Sequence, residues 1–355
     1  MQKRTEKIRK MMKNEQIDFI IVSEEASIKY LTDETIDAGE RFTVFVISRN
    51  DSFWIRNKLF PLKKHTFKDI SYLDGSDYTK LLSDKIPENS KIGIDKFLYS
   101  KFLLELLSRR KDLIFVNGSE IVDEVRSIKD ENEIMKMRKS SHINDLAIKE
   151  LVKHLKVGMT EKEAAYKLSE IYKKLGADGF SFPPIVAFGE SSANPHHEVT
   201  DKKLTENTIV LIDIGCMKDG YASDMTRTYF FGTPTDEMKK VHNIVKEANE
   251  KAIKAIKEGV KLSDIDKIAR NHISNSGYGK NFTHRLGHFI GLTTHETGEV
   301  SPTSEIIAKE GMIFSIEPGI YIPEKFGVRI ENLVAVTKNG CEILNKVSHN
   351  PYISL

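Results

Sequence analysis

The sequence predicts an α+β protein in which a small α/β domain precedes a larger domain built from two copies of one structural unit. Up to Gly118, short runs of β-branched and aromatic residues alternate with helical patterns, which is typical of an α/β domain. From Ile128 a long helical pattern replaces this alternation. We therefore expect an N-terminal α/β domain over residues 1–122 and a second domain over residues 128–355.

The N-terminal domain is predicted to begin with a helix followed by the strand IDFIIV. Further strands are expected at Thr43–Ile47, Phe53–Ile55 and Lys91–Ile94, and then a Leu-rich helix and the strand LIFV. The acidic stretch from Asp33 to Phe42 has two interpretations. A solvated loop is the one we favour, and the alternative is a lid or a segment that reaches a neighbouring subunit's site.

Composition excludes several classes of function. The 355 residues are 39% hydrophobic and 30% charged, with a formal net charge of +2, so no electrostatic case exists for binding nucleic acid or a membrane surface. No apolar run reaches the roughly 18 residues of a membrane-spanning helix, and the basic N-terminus lacks the apolar core of a signal peptide. Cys216 and Cys341 offer no disulfide framework. We expect a cytoplasmic protein.

A weak internal repeat runs through the second domain. Gly158 and Gly176 lie 18 residues apart, and Gly259 and Gly277 repeat this spacing 101 residues later. Each pair brackets a predicted helix and follows another. Because two glycines can match by chance, the repeat needs a second observation.

Two acidic hairpins supply that observation. Thr208–Phe231 reads as a β-hairpin that turns near Lys218–Asp219, which would place Asp213 and Asp224 opposite or nearly opposite each other. Downstream, Glu317 and Glu331 are centred on Glu324 in a second hairpin. Like charges across a sheet are destabilising, and buried unpaired carboxylates cost more. The four carboxylates therefore indicate a site for cations where the two hairpins meet.

Histidine usage agrees with a cation site. Five of the 11 histidines fall in the segments ANPHHEV and THRLGHFIGLTTHE, and they are His196, His197, His284, His288 and His295. Two divalent cations would balance the negative charge of the four carboxylates. Asp, Glu and His donors without cysteine favour Mn, Co, Fe or Zn in a non-thiolate site, and a pair of such metals is typical of hydrolytic enzymes.

These residues resemble a known family. The motifs NPHH, DIG with SDMTRT, HRLGHFIGLTTHE, EPGIY and GVRIEN are similar to those of the metallopeptidases with the pita-bread fold, a family that includes prolidase, aminopeptidase P and methionine aminopeptidase. The resemblance covers nearly the whole chain. An N-terminal α/β domain before the repeated domain matches prolidase and aminopeptidase P, since methionine aminopeptidases generally lack it.

The resemblance implies a dinuclear metal centre with Mn or Co most expected, held by Asp213, Asp224, His288, Glu317 and Glu331. In that arrangement Asp213 is bidentate on one metal and His288 binds the other. Asp224 and Glu331 bridge the pair, and Glu317 also accepts a proton from the attacking water. A hydroxide that bridges the metals attacks the scissile carbonyl.

The resemblance also implies the residues around the substrate. His196 and His295 hold the substrate and stabilise the oxyanion. Arg329 is associated with the site, and His284 and Tyr321 match further pocket residues. His197 is a secondary neighbour of His196. Asn332 departs from the Asp that many prolidases carry there, and we expect little effect.

The expected activity is hydrolysis of Xaa–Pro bonds by an Xaa-Pro dipeptidase that forms a homodimer. An aminopeptidase P that accepts longer peptides is the alternative. A non-catalytic binding protein of the same fold is a second class, and the intact acids and histidines argue against it. A lyase or amidinohydrolase on this fold is the remaining possibility.

Overall fold

The computed structural model describes residues 2–64 and 66–353, and the chain divides into two units, residues 1–126 and 127–355. Within the described residues no helix is both long and apolar enough to cross a membrane.

The first unit is organised around a mixed sheet. Its strands are β1 (Phe19–Val22), β2 (Val44–Ser48), β3 (Ser52–Asn57), β4 (Lys68–Tyr72), β5 (Lys91–Ile94) and β6 (Ile114–Asn117). Over residues 2–64 and 66–126 the sheet order is β4-β3-β2-β1-β5-β6, antiparallel through β1–β2–β3 and parallel elsewhere. The helices are α1 (Gln2–Asn14), α2 (Glu25–Thr32), α3 (Tyr78–Ser83), α4 (Ser100–Arg109) and α5 (Ser119–Ser127).

The sequence anticipates most of these strands but misses β4. The missed strand, KDISY, lies at the edge of the sheet and is partly exposed, so it has no continuous apolar pattern. In the stretch from Asp33 to Phe42, the buried Glu34 accepts hydrogen bonds from the backbone amides of Lys63 and Lys64. This part of the stretch is therefore fixed to the first unit rather than fully solvated.

The second unit contains four long helices and several small sheets in its described part, 127–353. The helices are α6 (Glu131–His154), α7 (Glu161–Leu175), α8 (Asp236–Ala255) and α9 (Leu262–Asn275). The strands are β7 (Gly179–Phe180), β8 (Ile185–Phe188), β9 (Thr208–Ile214), β10 (Cys216–Lys218), β11 (Tyr221–Ala222), β12 (Met225–Phe231), β13 (Gly287–Phe289), β14 (Glu296–Val300), β15 (Ile313–Ile316), β16 (Gly319–Ile322), β17 (Phe326–Arg329), β18 (Asn332–Thr337) and β19 (Gly340–Ile343).

The predicted repeat is confirmed element by element. Helices α6 and α7 followed by the β9–β12 hairpin correspond to helices α8 and α9 followed by the β15–β18 hairpin. A buried asparagine on the first helix of each copy bonds the hairpin backbone: Asn144 Nδ2 donates to Ile214 O at 2.8 Å, and Asn249 Nδ2 donates to Ile316 O at 2.7 Å. The two copies thus share their elements and one packing device.

The register of the first hairpin corrects our expectation. The turn lies at Asp219–Gly220, one residue later than expected, because both residues adopt positive φ (51° and 78°), as a type I′ turn requires. Thr226, and not Asp224, is therefore the partner of Asp213. Asp224 lies two positions along the strand from Thr226, so the two acids are diagonal neighbours.

The second hairpin has the register that the sequence predicts. Gly319 pairs with Arg329 and Ile322 pairs with Phe326, so the turn is centred on Glu324, whose φ is 61°. The pairing of Ile316 with Asn332 continues the same register below Pro318. Glu317 and Glu331 therefore occupy facing positions.

Gly287, in β13, allows a test of how closely this strand packs against β15. A Cβ at this position would lie 1.8 Å from the backbone oxygen of Ser315, whereas a Cβ at Gly340 meets no atom within 4 Å. We expect Gly287→Ala to lower the free energy of unfolding by at least about 2 kcal/mol, because backbone must move to admit the methyl group. Denaturant unfolding measures the loss, with Gly340→Ala as the matched control. Equal stabilities of the two variants would contradict the prediction.

Candidate metal centre

Three buried side chains converge where the hairpins meet. The potential ligand atoms of Asp224, His288 and Glu331 lie within 4.8 Å of one another. Asp224 lies between β11 and β12, His288 lies in β13, and Glu331 lies between β17 and β18. The two copies of the repeat therefore both contribute to the group.

The remaining two predicted ligands border this group. Glu317 Oε1 lies 3.6 Å from His288 Nε2, and Asp224 Oδ2 lies 3.5 Å from the same nitrogen. Asp213 is buried and its Oδ2 accepts a hydrogen bond from Arg329 Nη2 at 2.6 Å. The five acidic and imidazole side chains named from the sequence thus border one buried region.

His288 is oriented as a ligand. Its Nδ1 lies 3.1 Å from Phe289 O, and a carbonyl oxygen accepts only, so Nδ1 carries the proton. Its Nε2 then faces Asp224 and Glu317. A second contact holds the residue in place, because the Ser315 hydroxyl accepts from His288 N and donates to Glu317 Oε1. Such hydrogen bonds commonly fix the tautomer of a metal-binding histidine.

The carboxylates repel one another. Burial and the neighbouring charges of Asp213 and Glu317 raise the pKa of Asp224 well above its usual value. Burial and the charges of Asp224 and Glu317 do the same to the pKa of Glu331. Burial also raises the pKa of Glu317, but His288, His284 and Arg329 outweigh it, and the net shift is downward. Glu317 is therefore the carboxylate most readily ionised in this group.

These donors fit divalent cations. Asp213 Oδ1 and Glu331 Oε1 are buried and have no hydrogen-bond partner within the described chain. Leaving such oxygens unpaired is costly unless a cation binds them. Cys216 supplies no alternative, because burial raises the pKa of its thiol to about 11. The set of carboxylates and one imidazole matches Mn, Co, Fe or Zn chemistry.

Arg329 connects the acids to an aromatic and an imidazole side chain. Besides bonding Asp213, it donates through Nη1 to Tyr321 Oη at 2.8 Å. Tyr321 Oη lies 2.9 Å from His284 Nε2, and His284 Nδ1 lies 2.7 Å from Arg285 O. Because Nδ1 must donate to that carbonyl, the tyrosine hydroxyl donates to Nε2. The predicted pocket residues Arg329, Tyr321 and His284 therefore form one chain of hydrogen bonds.

The two histidines expected on the substrate side lie in loop segments. The ring of His295 packs edge-on against His288, with centroids 4.2 Å apart. Burial, and then the charge of His288, lower the pKa of His295 to about 4, with a smaller contribution from His196. His295 is therefore neutral near pH 7. His196 is exposed, and its amide bonds the side chain of Asn194.

Sequence reasoning missed several residues that hold the group together. Thr226 accepts from Arg329 Nε at 3.0 Å and donates to Glu331 Oε2 at 2.7 Å. Glu296, the residue after His295, forms a buried side-chain ion pair with Lys129 at 2.9 Å. The shifted hairpin register, which pairs Thr226 with Asp213, is the signal that would have identified Thr226. No local pattern marks Lys129, which lies 167 residues from its partner.

Comparisons with known proteins identify the family of the chain. The model of Metallopeptidase family M24 matches residues 135–338, and that of the Creatinase/Prolidase N-terminal domain matches residues 4–128. An uncharacterized peptidase of Staphylococcus haemolyticus is 37% identical, covering 96% of this chain and 97% of its own.

Solved structures match over the whole chain. A prolidase from Thermococcus sibiricus has a TM-score of 0.93 and 32% identity, covering 99% of this chain and 98% of its own. An X-Pro aminopeptidase from Thermotoga maritima has a TM-score of 0.82 and 33% identity, covering 96% of this chain and 98% of its own. These matches confirm the predicted fold class, a pita-bread domain with a pseudo-two-fold repeat after a smaller α/β domain.

Metal addition tests the acidic group. We expect Mn²⁺ to raise the unfolding temperature of metal-free protein, by the equivalent of about 2.7 kcal/mol at a free concentration of about 100 times its Kd. Asp224→Asn should lose most of this increment, because it removes a ligand. Without metal it should be no less stable than the wild type, because one repelling charge is gone.

The control for this experiment is Glu324→Asn. It neutralises an exposed acid at the tip of the second hairpin and suits the positive φ there. Calorimetry with and without Mn²⁺ measures the shifts. A full Mn²⁺ increment in Asp224→Asn would argue against a metal site.

Proposed function

Because the chain belongs to metallopeptidase family M24, we propose that it hydrolyses Xaa–Pro bonds and acts mainly on Xaa-Pro dipeptides. The observation that carries this proposal is the convergence of Asp224, His288 and Glu331 within 4.8 Å, bordered by Glu317 and the Arg329 chain. Such a buried acidic group has no structural benefit without cations. The matched structures include a prolidase and an X-Pro aminopeptidase, and this similarity suggests the bond that is cut.

In this proposal two divalent cations are held by Asp213, Asp224, His288, Glu317 and Glu331, with Mn or Co the expected metals. When bound, such ions polarise a carbonyl group and lower the pKa of water. The nitrogen of an Xaa–Pro bond carries the proline ring and no N–H, so the pocket must accept the ring, and this nitrogen must gain a proton as it leaves, as in any amide hydrolysis.

The chain's own residues then divide the remaining work. Glu317, whose pKa is lowered by His288, His284 and Arg329 against the effect of burial, is ionised and able to accept a proton. Neutral His295 donates an N–H toward the oxygen that becomes negative, and His196 contacts the substrate beside it. Arg329 holds Asp213 through one nitrogen and Tyr321 through another, so it keeps the acid in place while that acid's second oxygen stays available.

We further propose that residues 1–122 form the N-terminal domain and residues 128–355 the catalytic domain, and that the protein is a cytoplasmic homodimer. The internal sheet and core of residues 1–126 support the first point. The two free cysteines, Cys216 and Cys341, are compatible with a reducing compartment.

Substrate length separates the two enzymatic candidates. We expect cleavage of Ala-Pro with the metal-loaded protein, and no cleavage of Ala-Ala, which lacks the proline ring. Ala-Pro-Ala-Ala tests the alternative, because aminopeptidase P accepts longer peptides. Chromatography of the released alanine measures each reaction. Cleavage of the tetrapeptide alone would replace the dipeptidase proposal by aminopeptidase P.

Removal of one acid tests the role of the metal group in catalysis. We expect Asp224→Ala and Glu331→Ala each to lower kcat/KM by at least about 100-fold, roughly 3 kcal/mol of transition-state stabilisation. Bound metal, measured by elemental analysis, should fall in both. Glu324→Asn serves again as the control. Wild-type activity in both alanine variants would refute the metal-dependent mechanism.

A further inference from the structure

Glu161 is a fully buried carboxylate at the first position of α7, and four hydrogen bonds converge on it. Its Oε1 accepts from Phe188 N at 3.0 Å. Its Oε2 accepts from Thr200 N at 2.9 Å, from Thr200 Oγ1 at 2.7 Å and from His197 Nε2 at 2.7 Å. An ionised carboxylate accepts only, so His197 carries its proton on Nε2.

The start of α7 does not require this carboxylate. Thr160 caps the helix, and Glu163 completes a capping box with it. Glu161 also has no lysine or arginine partner among the hydrogen bonds it makes. Three of its four bonds come instead from His197 and Thr200, which lie in the loop that follows Pro195. Glu161 therefore anchors that loop.

The other end of the loop is attached to the acidic group. Pro195 O accepts from Arg329 Nη1 at 3.3 Å, and Arg329 Nη2 bonds Asp213 at 2.6 Å. His196 lies between these two attachments and is exposed. The position of His196 relative to the acids is thus set by Arg329 on one side and by Glu161 on the other.

We infer that Glu161 is a positioning residue that acts through His197 and Thr200 to place His196 for the reaction. This inference rests on the proposed Xaa–Pro hydrolysis for its catalytic consequence. It gives His197, the second histidine of the NPHH motif, a role distinct from that of the first: His196 faces the substrate, and His197 holds the loop.

A double-mutant cycle tests whether Glu161 acts through His196. Glu161→Gln replaces one accepting oxygen by an amide NH₂ that faces donors, and we expect kcat/KM to fall by at least about tenfold because His196 is displaced. The loss should appear in kcat more than in KM, with bound metal unchanged. In the His196→Ala background, Glu161→Gln should change kcat/KM less than about twofold. Equal losses in both backgrounds would mean that Glu161 only supports the fold.

Two sets of variants control the cycle. Glu163→Gln makes the same chemical change at an exposed position of the same helical turn, and it should keep wild-type kinetics because glutamine also completes a capping box. His197→Gln keeps an N–H donor for Glu161 and should retain activity that His197→Phe loses. If Glu161→Gln does not fold, the two His197 variants test the same contact, because one keeps and the other lacks a donor for Glu161. Equal activity of His197→Gln and His197→Phe would overturn the inference.

Hydrogen exchange gives a readout that does not depend on activity. We expect Glu161→Gln to accelerate amide exchange in residues 194–200 by at least about tenfold, since Thr200 N loses its acceptor. Exchange in β13 and β18 should be unchanged. Unchanged exchange in residues 194–200 would refute the inference that Glu161 anchors this loop. If Glu161→Gln accelerates exchange but the wild-type protein cleaves no Xaa-Pro substrate, the proposed function is contradicted. The role of Glu161 in holding the loop is then still supported.

Discussion

The site depends on hydrogen bonds that join the backbones of the two acidic hairpins. Thr228 Oγ1 donates to Arg329 O and accepts from Arg329 N, and Glu331 N donates to Thr226 O at 3.1 Å. The buried guanidinium of Arg227 adds a bond to the backbone oxygen of Glu331. Carboxylates that repel one another would separate if only side chains held them. Because these bonds fix the strands themselves, the acids stay close together despite their repulsion.

A second feature is a buried charged side chain bonded to each of the loop segments that carry His196 and His295. Glu161 bonds the loop next to His196, and Glu296, which pairs with Lys129, directly follows His295 in the sequence. Glu296 Oε1 also accepts from the amide of Leu292, so the ion pair fixes the loop backbone as well. A buried charge is destabilising unless it is fully bonded. Once bonded, it allows few alternative positions for the loop and for the histidine that the loop carries.

The sequence predicts the repeat, the second hairpin's register and the acids and histidines of the site because each leaves a local pattern: glycine spacing, alternating apolar runs or clustered histidines. It misplaces the first hairpin by one residue, since Lys218–Asp219 and Asp219–Gly220 are both plausible turns until the positive φ of both turn residues is known. Thr226 and Glu161 escape notice for another reason. Their partners lie 105 and 36 residues away, and an acid in the first turn of a helix resembles an ordinary surface charge.

The repeat has a consequence for how such a site arises. Two copies of a helix–helix–hairpin unit, each with its own buried asparagine, are what duplication of a single half-length ancestor would produce. In a symmetric dimer of such ancestors, both halves would carry the same residues at every position. Fusion into one chain removes that constraint. His288 and His295 belong to the second copy, whereas His196 and its anchor belong to the first, so the single chain combines residues that two identical halves would each have to carry twice.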